Sequence, residues 1–126
     1  MRGRSSTALI WLFMLMLGLA GPATVMLRAE SLPPLSPEEK AGKQVFQANC
    51  TLCHVADSTD LKIGPGLKGI LKNKLLPDGE TPATVDNVRK VIEKGIPDAT
   101  PMAMPALGSK LSKTEIDNLI AYLKTL

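Results

Sequence analysis

Aromatic side chains are scarce in this chain of 126 residues, which has two Phe, one Trp and one Tyr. Trp11 and Phe13 fall near the N-terminus, so Phe46 and Tyr122 are all that remains for the rest. A domain of about 90 residues buries only a modest fraction of its surface, and a core this poor in aromatics needs apolar mass from elsewhere. Histidine occurs once, at His54, and cysteine twice, at Cys50 and Cys53. That excludes a structural zinc site, which takes two separated pairs of Cys or His ligands. Alternating Val/Ile-rich runs are missing as well, so there is no βαβ sheet to carry a thioredoxin-type cysteine pair. Internal repeats and low-complexity tracts are absent. So is any basic patch interleaved with aromatics, and nucleic acid is not an expected partner.

What is present is concentrated. Both cysteines and the lone histidine fall in one run, Cys50-Thr51-Leu52-Cys53-His54. Two thiols three positions apart followed at once by an imidazole form a haem-attachment signature. Each thiol can add to one haem vinyl group, and the adjoining imidazole is then held beneath the ring as an iron ligand. A plain disulfide would leave His54 without a task and the small domain without an apolar centre. A haem burying about 500 Å² would contribute about 12 kcal/mol gross as an upper bound, filling the gap left by the missing aromatics.

Residues 1–28 read as a targeting or anchoring segment. Arg2 and Arg4 precede Ala8 to Leu27, a charge-free apolar run that Arg28 stops. As a helix its 20 residues would span about 30 Å, enough to cross a bilayer. A cleaved signal peptide, cut after Ala20 or Ala23, and an uncleaved signal anchor share this pattern. The length of the run and the poor fit of Pro22 to either cleavage site favour the anchor. In both cases the rest of the chain faces the extracytoplasmic, periplasmic side, because the leading arginines stay inside. Residues 29–35, with Pro33 and Pro34, form a stiff linker.

The haem domain is expected over residues 36–126. Ser36-Pro37-Glu38-Glu39 joins an N-cap serine, a proline at the first helical position and a glutamate three after the cap, predicting a helix to about Asn49. Its apolar positions are Ala41, Val45, Phe46 and Ala48, and Gly42 in its middle suggests close approach by another helix. The expected partner is the last helix, opened by a Ser112/Glu115 capping box and a Leu111/Ile116 staple, with Ile116, Leu119, Ile120 and Leu123 on one face and Tyr122 beside it. A third helix is predicted over Thr84 to Lys94, with Val85, Val88, Val91 and Ile92 on one side and Gly95 after its end. Gly69 to Lys74 adds at most a short turn. The fold class is therefore all-α, three to four helices, preceded by a hydrophobic N-terminal helix.

Pro97, Pro101 and Pro105 exclude a continuous helix over Ile96 to Lys110 and leave Met102 and Met104 on an irregular segment. A thioether is a soft neutral ligand suited to haem iron, and a Met/His pair raises the reduction potential.

From Ser36 to Leu126 the chain resembles the class I cytochrome c family. The resemblance rests on Gly42 and Phe46 in the first helix, the Cys50 to His54 motif, Gly64-Pro65-Gly66-Leu67, Met104-Pro105-Ala106-Leu107 and Tyr122 in the last helix. It implies a small cytochrome c fold around one haem c attached through two thioethers, with His54 proximal and Met104 distal. Met102, which lacks a following proline, is the alternative distal ligand. It also implies that the Pro65 carbonyl accepts from the His54 ring N–H. Iron closed by two protein ligands implies a one-electron carrier with redox-protein donor and acceptor, no small-molecule substrate and no catalysis.

Partners are weakly encoded in charge. Setting aside Arg2, Arg4, Arg28 and Glu30 leaves 12 basic against 11 acidic residues. Lys62, Lys68, Lys72 and Lys74 follow the haem motif and could steer docking to an acidic surface. Beside a stand-alone carrier, soluble or tethered, stand two alternatives: a cytochrome subunit of a larger respiratory or photosynthetic membrane complex, and an open-haem peroxidase or sensor.

Overall fold

The computed structural model describes residues 33–126. The expected N-terminal hydrophobic helix, its cleavage or retention, and most of the linker lie outside the described residues. Among the described residues no helix is long and apolar enough to cross a membrane.

Three helices build the domain: α1 (Pro37–Asn49), α2 (Val85–Lys94) and α3 (Lys113–Thr125). Each begins at a capping residue that the sequence marks. In α1 the Glu39 amide donates to Ser36 Oγ at 3.2 Å while the Ser36 amide donates to a Glu39 carboxylate oxygen at 2.7 Å. The same reciprocal pair, Ser112 with Glu115, opens α3. Thr84 caps α2 by accepting from the Asn87 amide. These caps satisfy N–H groups that have no partner inside their helices. The expected short turn is present, with the Lys72 and Asn73 amides donating to the Gly69 carbonyl. No strand forms among the described residues, only two isolated bridges, Leu75 with Pro82 and Ile96 with Met104.

The helix α1 crosses α3 at Gly42. A Cβ there would overlap the Asn118 carbonyl oxygen and lie 2.9 Å from Tyr122 Cβ, so glycine is what lets the two backbones meet. One turn on, Phe46 packs its ring against Tyr122, centroids 5.6 Å apart and planes tilted by 59°, a favoured aromatic geometry. Ile116, Leu119, Ile120 and Leu123 of α3 are all buried, and Val88 and Ile92 of α2 join them. Two details differ from the sequence reading. Ala48 is exposed, because only Gly42 and Phe46 of α1 turn fully inward, and Val85 and Val91 are half-buried. Leu76, in a segment without helix, is buried in the same core.

Arg89 of α2 pairs with Asp117 of α3, which also accepts from Lys113 Nζ at 2.8 Å. No charged or polar residue is buried among the described ones.

Candidate functional site

The end of α1 runs directly into the cysteine motif. Cys50 is its C-cap, and the amides of Cys53 and His54 both donate to the Cys50 carbonyl, at 3.1 and 2.8 Å. This turn gathers both thiols and the imidazole within one short stretch of backbone. Both cysteines are unbridged. Burial, and secondarily the neighbouring Cys53, push the Cys50 thiol up to about 11; a thiol in an apolar setting disfavours its anion.

After the motif the chain doubles back. The Gly64 amide donates to the Cys53 carbonyl and the Leu67 amide to the Val55 carbonyl, each at 2.8 Å. This brings the Pro65 carbonyl oxygen within 2.8 Å of His54 Nδ1. A carbonyl can only accept, so Nδ1 carries the proton and Nε2 keeps its lone pair. Gly64 lies on the edge of the same ring, where a Cβ would come 2.5 Å from Cε1 and 2.9 Å from Nδ1.

These groups form one wall of a cleft of about 310 Å³. The floor is Phe46, Ile70, Ile92 and Leu119 from the core, and the lining also includes Met102, Met104 and Pro105. Every residue singled out from the sequence, Cys50, Cys53, His54, Pro65, Met102 and Met104, therefore lines one cavity. The two methionines differ in setting: Met102 is 58 % exposed, whereas Met104 is half-buried. Met104 exchanges two backbone hydrogen bonds with Ile96, both 3.0 Å.

The cleft suits haem c on the chemistry of its lining. Two thiols stand beside one imidazole, two methionines share the lining, and the remainder is mostly aliphatic. Among the described residues five large hydrophobics are exposed, and four of them, Leu52, Leu61, Ile96 and Met102, line this cleft. Apolar surface gathered at one opening calls for something to cover it. Asp78 is the carboxylate on the lining, held below the usual range by the Thr81 hydroxyl and by the Thr81 and Glu80 amides. Among the described residues no three His, Cys, Asp or Glu side chains form a cluster that could hold a metal ion.

Sequence reasoning missed Ile96, the partner of Met104, and the rim leucines Leu52 and Leu61. The rim had a local signal, apolar residues in loops, but Ile96 had none. Of the four lysines read as a docking cluster, two bind backbone instead: Lys62 Nζ donates to the Thr51 carbonyl at 2.6 Å and Lys72 Nζ to the Leu126 carbonyl at 3.1 Å.

Comparison with known proteins gives relatives of one kind. Residues 37–123 match the family model described as cytochrome c oxidase, cbb3-type, subunit III. Cytochrome c6 of a Synechococcus species is 31% identical over 93 residues, 74% of each chain. Cytochrome c6 of Leptolyngbya boryana is 31% identical over 83 residues, covering 66% of this chain and 86% of that protein. A shorter match, 49% identical over 35 residues, is to cytochrome c type-1 of Ascaris suum, 28% of this chain and 31% of that protein.

Proposed function

The chain belongs to the class I monohaem c-type cytochromes, electron carriers that hold haem c covalently, and on that premise we propose that it carries single electrons with iron held between His54 and Met104. The observation that carries this reading is the cleft itself, which places the His54 imidazole and the Met104 thioether among the same lining residues.

Bound haem c supplies an Fe(II)/Fe(III) couple. His54 and Met104 would hold the iron, and the protein's part is to keep these two donors still. With its Nδ1 proton given to the Pro65 carbonyl, His54 has one tautomer and one orientation, and that hydrogen bond makes Nε2 a stronger donor. Met104 contributes a neutral sulfur from a backbone pinned to Ile96, and its softness favours the reduced state. The aliphatic walls keep water from the ring, so little solvent has to reorganise when charge changes. With His54 and Met104 as ligands the iron would have no position left for a substrate, in keeping with a carrier between redox proteins.

The attachment chemistry requires an oxidising compartment, and the run Ala8 to Leu27 supplies an export segment long enough to remain as an anchor. The domain is accordingly placed on the extracytoplasmic, periplasmic face, tethered through residues 29–35. The match to an oxidase-subunit family model favours a second reading, a cytochrome subunit of a membrane complex. Purification from native membranes followed by intact mass distinguishes these: a retained N-terminus supports the anchor, a start near Gly21 or Thr24 replaces it with a cleaved leader, and co-purifying membrane proteins favour the subunit.

The ligand assignment has its own test. Met104→Ala is expected to abolish the weak near-infrared sulfur-to-ferric-iron band, lower the reduction potential and open the iron to carbon monoxide, while Met102→Ala leaves the band in place. The reverse pattern transfers the assignment to Met102. A wild-type protein without the band that binds carbon monoxide readily would favour the open-haem alternative.

A further inference from the structure

We infer that the C-terminal end of α2, Gly95 with Ile96, is the device that positions the Met104 sulfur. This inference rests on the reading of Met104 as the distal ligand.

Gly95 leaves the helix at φ 67°, ψ −170°, a conformation that costs an L side chain free energy. Its exposed Cα is a seat for the returning chain. A Cβ there would overlap the Met104 carbonyl oxygen and stand 2.7 Å from Ala106 N and 2.8 Å from Pro105 C, all backbone atoms that cannot swing aside. Next to it, Ile96 donates to the Met104 carbonyl and accepts from the Met104 amide, both at 3.0 Å. Beyond the methionine the Leu107 amide donates to the Ile92 carbonyl at 2.9 Å and the Gly108 amide to the Glu93 carbonyl at 3.1 Å. These are C-terminal carbonyls of α2 that the helix leaves without partners.

Met104 is thus held by backbone hydrogen bonds to Ile96 at its own position and, three and four residues later, by bonds to the last turn of α2. Pro97 to Ala103 form the excursion between the clamped points, and Met102, 58 % exposed, rides on that excursion. Met102 and Met104 both line the cleft. The clamp is what separates them: one has its backbone fixed before haem binds, and the other must be ordered at that moment, at an entropic cost. Ile92 also lines the cleft, so the helix that forms its floor sets the ligand's position through its own end.

Gly95→Ala in the haem-loaded protein tests this. The expected result is loss of the near-infrared band at neutral pH and carbon monoxide binding tightened by about tenfold, with the haem still covalent. Gly79→Ala is the matched variant: Gly79 sits at φ 76°, and a Cβ added there would meet nothing within 4 Å. It too adds a side chain at a positive φ, without touching Met104, so its band should persist. Equal band loss in both variants would reduce the effect to general loosening and overturn the inference. If Met104→Ala abolishes the band and Gly95→Ala keeps it, positioning fails while the ligand assignment stands; if Met104→Ala keeps it, the assignment itself fails. Should Gly95→Ala not fold, hydrogen exchange on the unaltered holoprotein decides. The Ile96, Met104, Leu107 and Gly108 amides should exchange together, with the protection of the step that releases the band. Open-loop exchange of Ile96 and Met104 while the band remains would overturn the clamp.

Discussion

The two walls of the cleft are built on different length scales. On the histidine side, Cys50, Cys53, His54 and Pro65 fall within 16 consecutive residues, and the contacts that shape the site, the Cys50 carbonyl turn, the Gly64 return and the Pro65 acceptor, are made inside that stretch, with the Leu67–Val55 bond two residues beyond it. On the methionine side Met104, the proposed ligand, has its backbone bonded to Ile96, and the chain just after it is bonded to carbonyls of α2 at Ile92 and Glu93. One wall is written locally and the other is assembled across a loop. A local wall survives as long as its own turn forms, whereas an assembled wall is the first to open when the structure loosens. If Met104 is the ligand proposed above, its thioether should therefore leave well before the His54 imidazole does.

The largest effect should come from removing the local wall's covalent part. Replacing both Cys50 and Cys53 with Ala should leave any haem extractable by acidic acetone, whereas the wild-type protein should retain it and give a c-type pyridine haemochrome. Because the cleft is lined by core residues including Phe46, Ile92 and Leu119, the variant should also lose cooperative thermal unfolding followed by far-ultraviolet circular dichroism. Haem released from the wild type by acidic acetone would break the comparison at its root.

A smaller effect separates the walls without dismantling either. Gly64→Ala puts a Cβ against the ring edge that donates to Pro65, and overpacking of this kind costs about 1–3 kcal/mol. The imidazole must turn, its hydrogen bond lengthens, and a less basic Nε2 stabilises ferric iron less. The reduction potential should rise while the near-infrared band of the methionine side stays. Loss of the band in this variant would show that the two walls are not independent.

The same contrast decides what the sequence could reveal. Helix starts were legible because a capping box is a pattern of four residues, and Ser36/Glu39 and Ser112/Glu115 formed it in both terminal helices. Gly42 could be read as a contact because glycine in mid-helix is unfavourable without a reason. The Cys50 to His54 run named its cofactor for the same cause, all its parts being adjacent. Met102 against Met104 had only the following proline to separate them, since the partners that pin Met104 lie at positions 92–96 with no local mark. Gly95 was visible as a helix stop, but its seat under Met104 was not. The burial of Leu76, outside any helix, and the Arg89–Asp117 pair, 28 positions apart, depend wholly on how the chain returns.

The smallest effect concerns that pair, the ionic link between α2, which carries the methionine clamp, and α3. Lys113 and Arg89 both hydrogen-bond the Asp117 carboxylate and hold it below the usual carboxylate range, Lys113 being the larger cause. A lowered native pKa means that the unfolded chain binds the proton more readily. The contribution to stability is therefore complete above the ordinary carboxylate range and is lost as pH falls through the depressed native value. The group is solvent-exposed, so the interaction is screened and the effect is slight. Asp117→Asn should lower the thermal midpoint a little at pH 7 in low salt, and the difference from wild type should shrink below pH 4 and in molar salt. Because the link joins α3 to the helix behind the distal wall and touches nothing on the histidine side, any change in the pH at which the near-infrared band disappears should accompany the loss in midpoint, with the histidine side unmoved. A midpoint difference that grows on acidification would show that Asp117 is not held by these cations in solution.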